Sequence, residues 1–433
     1  MSTTTSSQPS NRLMSLDALR GFDMFWIIGA DSLVYALNRM GQNSATKFLA
    51  TQLEHVAWQG FRFYDLIFPL FVFMVGASIV FSLNKIIAES GRAGAVKRVI
   101  RRGIVLFLIA LFYSGGFTNP WPDMRLMGVL NRIALAYTAA GLLYCFFKPR
   151  ALAGICAGLL VGYWAMMTFI PIHDIQLEKE NLALLAEKAG DAKLAQQFHD
   201  SGNASAINPS AIKDSPVWAA MHKMYDATTN RVSGKFDMGY NLACHFDFEH
   251  LPARKYDLSW DPEGILSTIP AVGTCLLGVF AGLLLQSTRL SNDRKLAWLF
   301  GAGVACVALG WLWGLQFPVI KKIWTSSYVL VAGGYSALLL GLFYYVVDVL
   351  KWQTWCQPFV WMGMNSITIY LVKNMLGGTF SKLSARLVGG DIKTWLDTHI
   401  ATGFGDLTIS VVGLLMAFWL VRLLYNRKVF LRI

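Results

Sequence analysis

The sequence predicts an all-α polytopic membrane protein with about ten transmembrane helices, both termini cytoplasmic and one long extracytoplasmic loop. Three observations carry this. Apolar residues make up 55% of the 433 positions and charged residues only 15%, against ~25% charged in a soluble domain. Apolar runs near the ~20 residues a bilayer needs recur along the chain. Runs of that length must be helical, because a backbone in lipid satisfies its own hydrogen bonds and barrel strands are about half as long.

The spans are expected at 19–38, 63–86, 102–117, 126–147, 151–170, 263–286, 296–316, 325–349, 358–376 and 405–425. Residues 1–15, "MSTTTSSQPSNRLMS", form a polar tail without an apolar h-region, so no cleavable signal is expected. Residues 16–170 hold the first five spans, with a loop at 39–62 that carries His55. Residues 171–262 form an extracytoplasmic cap, and 263–433 hold the last five spans and a short basic tail. With the N-terminus inside, the inner loops are "NKIIAESGRAGAVKRVIRR", "KPR", "STRLSNDRK", "DVLKWQ" and the tail "NRKVFLRI". This follows the excess of Lys and Arg on the cytoplasmic side. The net charge of +12 is explained by those loops, and no nucleic-acid partner is expected. His55 then faces outward, which in a bacterium is the periplasm.

Within the cap, Leu177, Leu182, Leu185 and Leu194 among Glu, Lys and Ala suggest amphipathic helices outside the bilayer. Small-residue spacing in "GICAGLLVG" (Gly154, Gly158, Gly162) and "GVFAG" (Gly278, Gly282) predicts close helix packing. The six cysteines form no CxxC pair, so neither a disulfide framework nor a zinc site is indicated, and no metal is expected. No phosphate-loop or Rossmann glycine motif is present.

Ionisable residues within spans are costly and turn toward the protein interior. Asp17, Arg20, Asp23 and Asp31 lie along the first span, and Asp17 and Arg20 have i, i+3 spacing suited to an ion pair. Arg62 and Asp65 open the second. Arg125 and Arg132, seven apart, would share a helix face with Asn131 beside them and suit an anion. Asp261 and Glu263 open the sixth span, where Asp261 suits an N-cap. Asn365, Ser366 and Lys373 lie in the ninth, where Lys373 could also snorkel. His55 suits proton transfer near neutral pH. Asp31 is the expected orienting carboxylate, ahead of the adjacent Glu54.

Five ordered motifs carry a resemblance: "SLDALRGFDMFWIIGAD", "EHVAWQGFRFYDLIFPLFVFMVGASI", "MRLMGVLNRIALAY", "DPEGILSTIPAVGTCLLGVFAG" and "PFVWMGMNSITIYL". In this order they resemble the heparan-alpha-glucosaminide N-acetyltransferase family and its bacterial relatives, within the transmembrane acyltransferase superfamily. The resemblance covers nearly all of the chain except the first dozen residues and much of 171–250. It implies an enzyme that takes acetyl-CoA from the cytosol and acetylates an amino-sugar or glycan amine on the far side. The family's catalytic histidine corresponds to His55. Lysosomal members carry an asparagine late in the first of these spans, at the position of Asp31 here, where a carboxylate would instead hold the amine or the imidazole.

On that reading His55 is the base, and Asn365 or the "GMNS" turn with Ser366 would face the oxyanion. Arg125, Arg132 and Lys373 would hold the CoA, with Arg98, Arg101, Arg102 or Lys148 as alternatives for its nucleotide at the inner end, and Asp65 and Glu263 would hold the acceptor. Direct transfer is favoured over an acetyl-histidine intermediate. A transporter of amino sugars or glycans, or acyl transfer to an envelope polysaccharide hydroxyl, are the rival readings. A homodimer is left open.

Overall fold

The structure, a computed structural model, describes residues 13–118, 123–200, 216–375 and 379–431. The expected polar tail at 1–15 lies almost wholly outside the described residues. The fold is mostly helical. Among the described residues, seven helices are long and apolar enough to cross a membrane: Phe63–Tyr113, Val129–Phe146, Pro149–Phe169, Thr268–Gln286, Asn292–Gly314, Ser326–Val349 and Phe404–Asn426. These are the helices of a multi-pass membrane protein.

The difference from ten expected spans has local causes. The spans expected at 63–86 and 102–117 lie on the 51-residue helix Phe63–Tyr113, which is interrupted at Gly91 (φ 70°, ψ −178°). That break falls in the basic stretch separating the two apolar runs, and a positive φ there is cheap only for glycine. The first expected span is divided as well. Helix Met14–Phe25 passes into a π turn at Trp26–Ala30 with Gly29 at φ 137°, then into Asp31–Met40. The ninth expected span is helix Gln357–Met364 followed by Ser366–Met375, with Asn365 at the junction.

The chain divides into two compact units. One comprises the segments up to residue 36, 288–299 and 338–432. Within it the helices 14–25 and 357–364 meet backbone to backbone. A Cβ on Gly21 would lie 1.7 Å from the Phe359 carbonyl oxygen, and one on Gly363 would lie 1.9 Å from that of Asp17. Phe22 and Phe25 each meet the Phe359 ring edge to face beside this contact. Asp17 and Arg20 form the expected pair at 3.7 Å.

The other unit comprises 37–287 and 300–337. Its centre is the packing of helix 63–113 on helix 268–286. A Cβ on Gly76 would lie 1.9 Å from the Cys275 carbonyl oxygen, and one on Gly278 would lie 1.9 Å from that of Phe73. Small residues therefore bring these backbones together, the expected role of "GVFAG". The stripe Gly154, Gly158 and Gly162 does the opposite: an added Cβ at any of the three meets nothing within 4 Å. Helix 149–169 packs instead through Leu152, Cys156, Leu160, Tyr163 and Met167.

The segment between helices 149–169 and 268–286 has its own core. Strand Ile172–His173 pairs antiparallel with Arg231–Val232. Helices Lys179–Lys188, Ala192–Asp200, Pro216–Ala227 and Leu242–His250 bury Leu182, Leu194, Phe198, Met221, Tyr225 and Phe248 together.

Candidate active site

His55 follows helix Ser44–Gln52 and precedes helix 63–113 in a short irregular loop. That helix begins with Arg62 as N-cap and Asp65 at its third position, where a carboxylate can accept from free backbone N–H groups. Asp65 does this with one oxygen. Its Oδ2 accepts from the N–H of Arg62 at 3.1 Å and of Val56 at 3.3 Å. Its Oδ1 faces His55 Nδ1 at 2.8 Å. The Asp65 side chain is fully buried, whereas that of His55 is 53% exposed. The Tyr328 hydroxyl donates to the Asp65 carbonyl at 2.8 Å, fixing this turn from below.

The carboxylate on His55 is therefore Asp65 and not Asp31, which belongs to the other unit. Sequence reasoning favoured Asp31 by treating the first span as one helix reaching the loop. The helix-start signal, an acid three residues after an N-cap, lay in "RFYD" and pointed to Asp65. With Asp65 ionised, Nδ1 carries a proton toward it and Nε2 is left with a free lone pair.

A third group joins them. Lys321 Nζ lies 2.9 Å from His55 Nδ1, 3.4 Å from Nε2 and 3.3 Å from Asp65 Oδ1. Its loop is tied to that of His55, since Gln59 and Ile320 form an antiparallel bridge and the Gly60 N–H donates to the Val319 carbonyl at 2.9 Å. Thr325 Oγ1 accepts from the Ile320 N–H at 3.0 Å and donates to the Pro318 carbonyl at 2.8 Å. Sequence reasoning missed Lys321. The available signal was a lysine pair in "PVIKKIW", in a loop expected to face outward, against the usual distribution of basic residues. Trp58 anchors the other side of the His55 loop: its Nε1 donates to the Phe236 carbonyl at 2.8 Å, and its ring meets Trp260 edge-on at 5.7 Å.

A second polar cluster lies in the same unit. Arg125 is bidentate to Asp261 (2.9 and 2.7 Å), and its Nη2 also donates to Glu263 at 2.7 Å. Its guanidinium stacks over Tyr256 at 4.7 Å. The two carboxylates hold its proton even more firmly than an ordinary arginine, against the opposing effect of burial. Asp261 also accepts from the N–H groups of Tyr256 and Glu263, each at 3.0 Å. It thus caps the 261–264 turn and not the helix itself, which starts at Thr268. Asp247, from helix 242–250, accepts from the N–H groups of Ile265 at 3.0 Å and Asp261 at 3.3 Å. Burial pushes its carboxyl up to about 7.

Arg125 does not share a helix face with Arg132. It stands in an extended bridge to Arg254, and the helix begins only at Val129 after the extended Gly128. Arg132 is fully buried. Its Nη2 donates to the Pro262 carbonyl at 2.7 Å and to Ser267 Oγ, and its guanidinium lies 4.8 Å over Trp324. Its Nε and Nη1 have no hydrogen-bond partner among the described residues.

The remaining candidates, Asp31, Asn365, Ser366 and Lys373, all lie in the other unit. Lys373 donates to the Ile27 carbonyl, which the π turn leaves available, so its ammonium turns toward the helix break. Asn365 Nδ2 donates to the Trp361 carbonyl at 3.3 Å, and its buried Oδ1 has no partner among the described residues. The Asp31 carboxylate accepts from the Ser32 N–H at 2.9 Å. Ser366 is nearly buried. Among the described residues no group of three or more His, Cys, Asp or Glu is placed to hold a metal ion.

Fold and site together define a multi-pass helical membrane protein with an exposed imidazole held by a buried carboxylate. Residues 12–183, which contain both, match the family described as heparan-alpha-glucosaminide N-acetyltransferase, catalytic. The chain is 26% identical over 399 residues to the heparan-alpha-glucosaminide N-acetyltransferase of Mus musculus, covering 86% of this chain and 56% of that protein. To the Homo sapiens enzyme of that name it is 27% identical over 337 residues, covering 73% and 48%. The family resemblance read from the motifs is borne out, and the chain spans about half the length of the curated relatives it matches.

Proposed function

We propose that the protein is a membrane acetyltransferase of the bacterial inner membrane. On this reading it moves an acetyl group from cytosolic acetyl-CoA to an amino-sugar amine on the extracytoplasmic side. The observation that carries this reading is the 2.8 Å contact between an exposed His55 and a buried Asp65. An amino-sugar amine is mostly protonated at neutral pH and must lose a proton before it can attack a thioester. His55 Nε2 accepts that proton while Asp65 holds Nδ1–H and stabilises the imidazolium that forms. His55 releases that first proton to solvent; the neutral amine nitrogen bonds to the acetyl carbon, the C–S bond breaks, and the second proton lost from nitrogen passes through His55 Nε2 to the CoA thiolate.

The other roles follow from which donors are spent. The fork of Arg125 is filled by Asp261 and Glu263, so its role is to set the shape of the outer turn. Arg132, whose Nε and Nη1 have no hydrogen-bond partner among the described residues, is the better donor to the pantetheine or pyrophosphate of CoA.

The test is acetyl-CoA consumption by the protein purified in detergent, with glucosamine as acceptor. Turnover is expected, with His55→Ala lowering it at least ~100-fold while CoA binding persists. Sugar movement into proteoliposomes without CoA, and no consumption of acetyl-CoA, would replace this reading with a transporter. Trapping acetyl-His55 from labelled acetyl-CoA would replace direct transfer with a covalent intermediate.

A further inference from the structure

Lys321 is set into the site as a built part of it. Its backbone lies in the 315–325 turn, pinned to the His55 loop by the Gly60–Val319 bond and internally by Thr325. The side chain is only 19% exposed. Its amine lies within 3.4 Å of both ring nitrogens of His55. Once Nδ1–H is committed to Asp65, the lone pair left for a primary amine is Nε2. Lys321 Nζ is 3.4 Å from that nitrogen and 2.9 Å from Nδ1, so a turn about its flexible side-chain bonds takes its amine to the place where an acceptor amine must come to be deprotonated. Burial also pushes its amine below the ordinary lysine value, with Asp65 acting in the other direction. An amine so placed spends more time neutral and nucleophilic than a surface lysine.

We propose that Lys321 is a modification site: the His55 centre acetylates it when acetyl-CoA is present and no sugar amine occupies the site. The inference rests on the acetyltransferase reading above. Neutral Lys321 Nζ attacks the thioester carbonyl carbon, an N–C bond forms and the C–S bond breaks. The proton lost from Nζ goes to His55 Nε2 and then to the CoA thiolate, leaving N-acetyl-lysine and the free thiol. The product amide has no positive charge, so Asp65 Oδ1 keeps His55 as its partner and loses the lysine.

The experiment is incubation of the full-length protein in detergent with isotope-labelled acetyl-CoA and no acceptor, followed by peptide mass spectrometry. One hydroxylamine-resistant acetyl group is expected on Lys321. It should be absent in Lys321→Arg, form at least ~100-fold more slowly in His55→Ala, and form more slowly in wild type as glucosamine is added. Three results would overturn the proposal and leave the parent reading standing: glucosamine turnover with Lys321 unlabelled, equal labelling in His55→Ala, or labelling indifferent to glucosamine. Failure to use acetyl-CoA with either amine would overturn both.

Discussion

The two polar clusters of the larger unit have similar ingredients and opposite character. Around Arg125, each charged group is spent on another: a bidentate fork to Asp261, a further bond to Glu263, and backbone N–H groups on Asp261 and Asp247. Around Asp65 the carboxylate is equally well satisfied, yet the imidazole it holds is half exposed and its Nε2 has a flexible lysine amine at 3.4 Å and no carboxylate. The first arrangement closes a turn. The second keeps a lone pair that an entering amine can reach. Charge at membrane depth does not separate a site from a brace; an unspent donor or acceptor does.

The largest expected effect is chemical: Asp65→Asn should lower kcat ~10³–10⁴-fold, as when a carboxylate that sets a histidine tautomer is lost, with little change in melting temperature relative to the effect on rate. Arg125→Ala should do the reverse. It strands Asp261 and Glu263, and removing one partner of a buried pair costs ~3–5 kcal/mol, read as a drop in thermal stability in detergent. A loss of activity without loss of stability in Arg125→Ala would move that residue into the chemistry.

Asp247 gives a smaller, pH-dependent effect. Its carboxyl titrates at about 7 in the fold, against ~3.9 for an unperturbed aspartate. The folded state therefore binds more protons than the unfolded chain between those values. Stability from this group is full below ~pH 4, falls as pH rises, and levels off above ~pH 7. The difference in melting temperature between wild type and Asp247→Asn should follow that course, and a pH-independent difference would exclude it. Smallest is Trp58→Phe, which keeps the ring and removes the bond to Phe236, costing ~1 kcal/mol. Activity should fall more than stability does, because the His55 loop loses an anchor.

Much of this was legible in the sequence. The apolar runs identify a membrane protein, and the histidine loop stands out because "TQLEHVAWQG" separates two of them. His55 and Asp65 both stood out as candidates in the sequence, but their 2.8 Å pairing did not. That pairing depends on the helix starting at Phe63 and on the His55 loop folding back over its first turn. Lys321 comes from a loop 266 positions away, and no local pattern reports such a meeting. The glycine stripes show the same limit. Gly278 and Gly154 have similar spacing rules behind them, yet only Gly278 has a neighbour to approach. Spacing states which face is smooth and leaves open what lies against it.

Gly29, at φ 137° and ψ 23°, is outside any helical range, so Trp26–Ala30 joins two helices across a kink and Asp31 opens the second of them. A helical wheel counted from the "RG" pair at Arg20 and Gly21 therefore does not give the direction of Asp31. A side chain at position 29 would be strained at that φ, so Gly29→Ala acts on the path of the backbone into Asp31 while Asp17 and Asp23 stay on the helix before it.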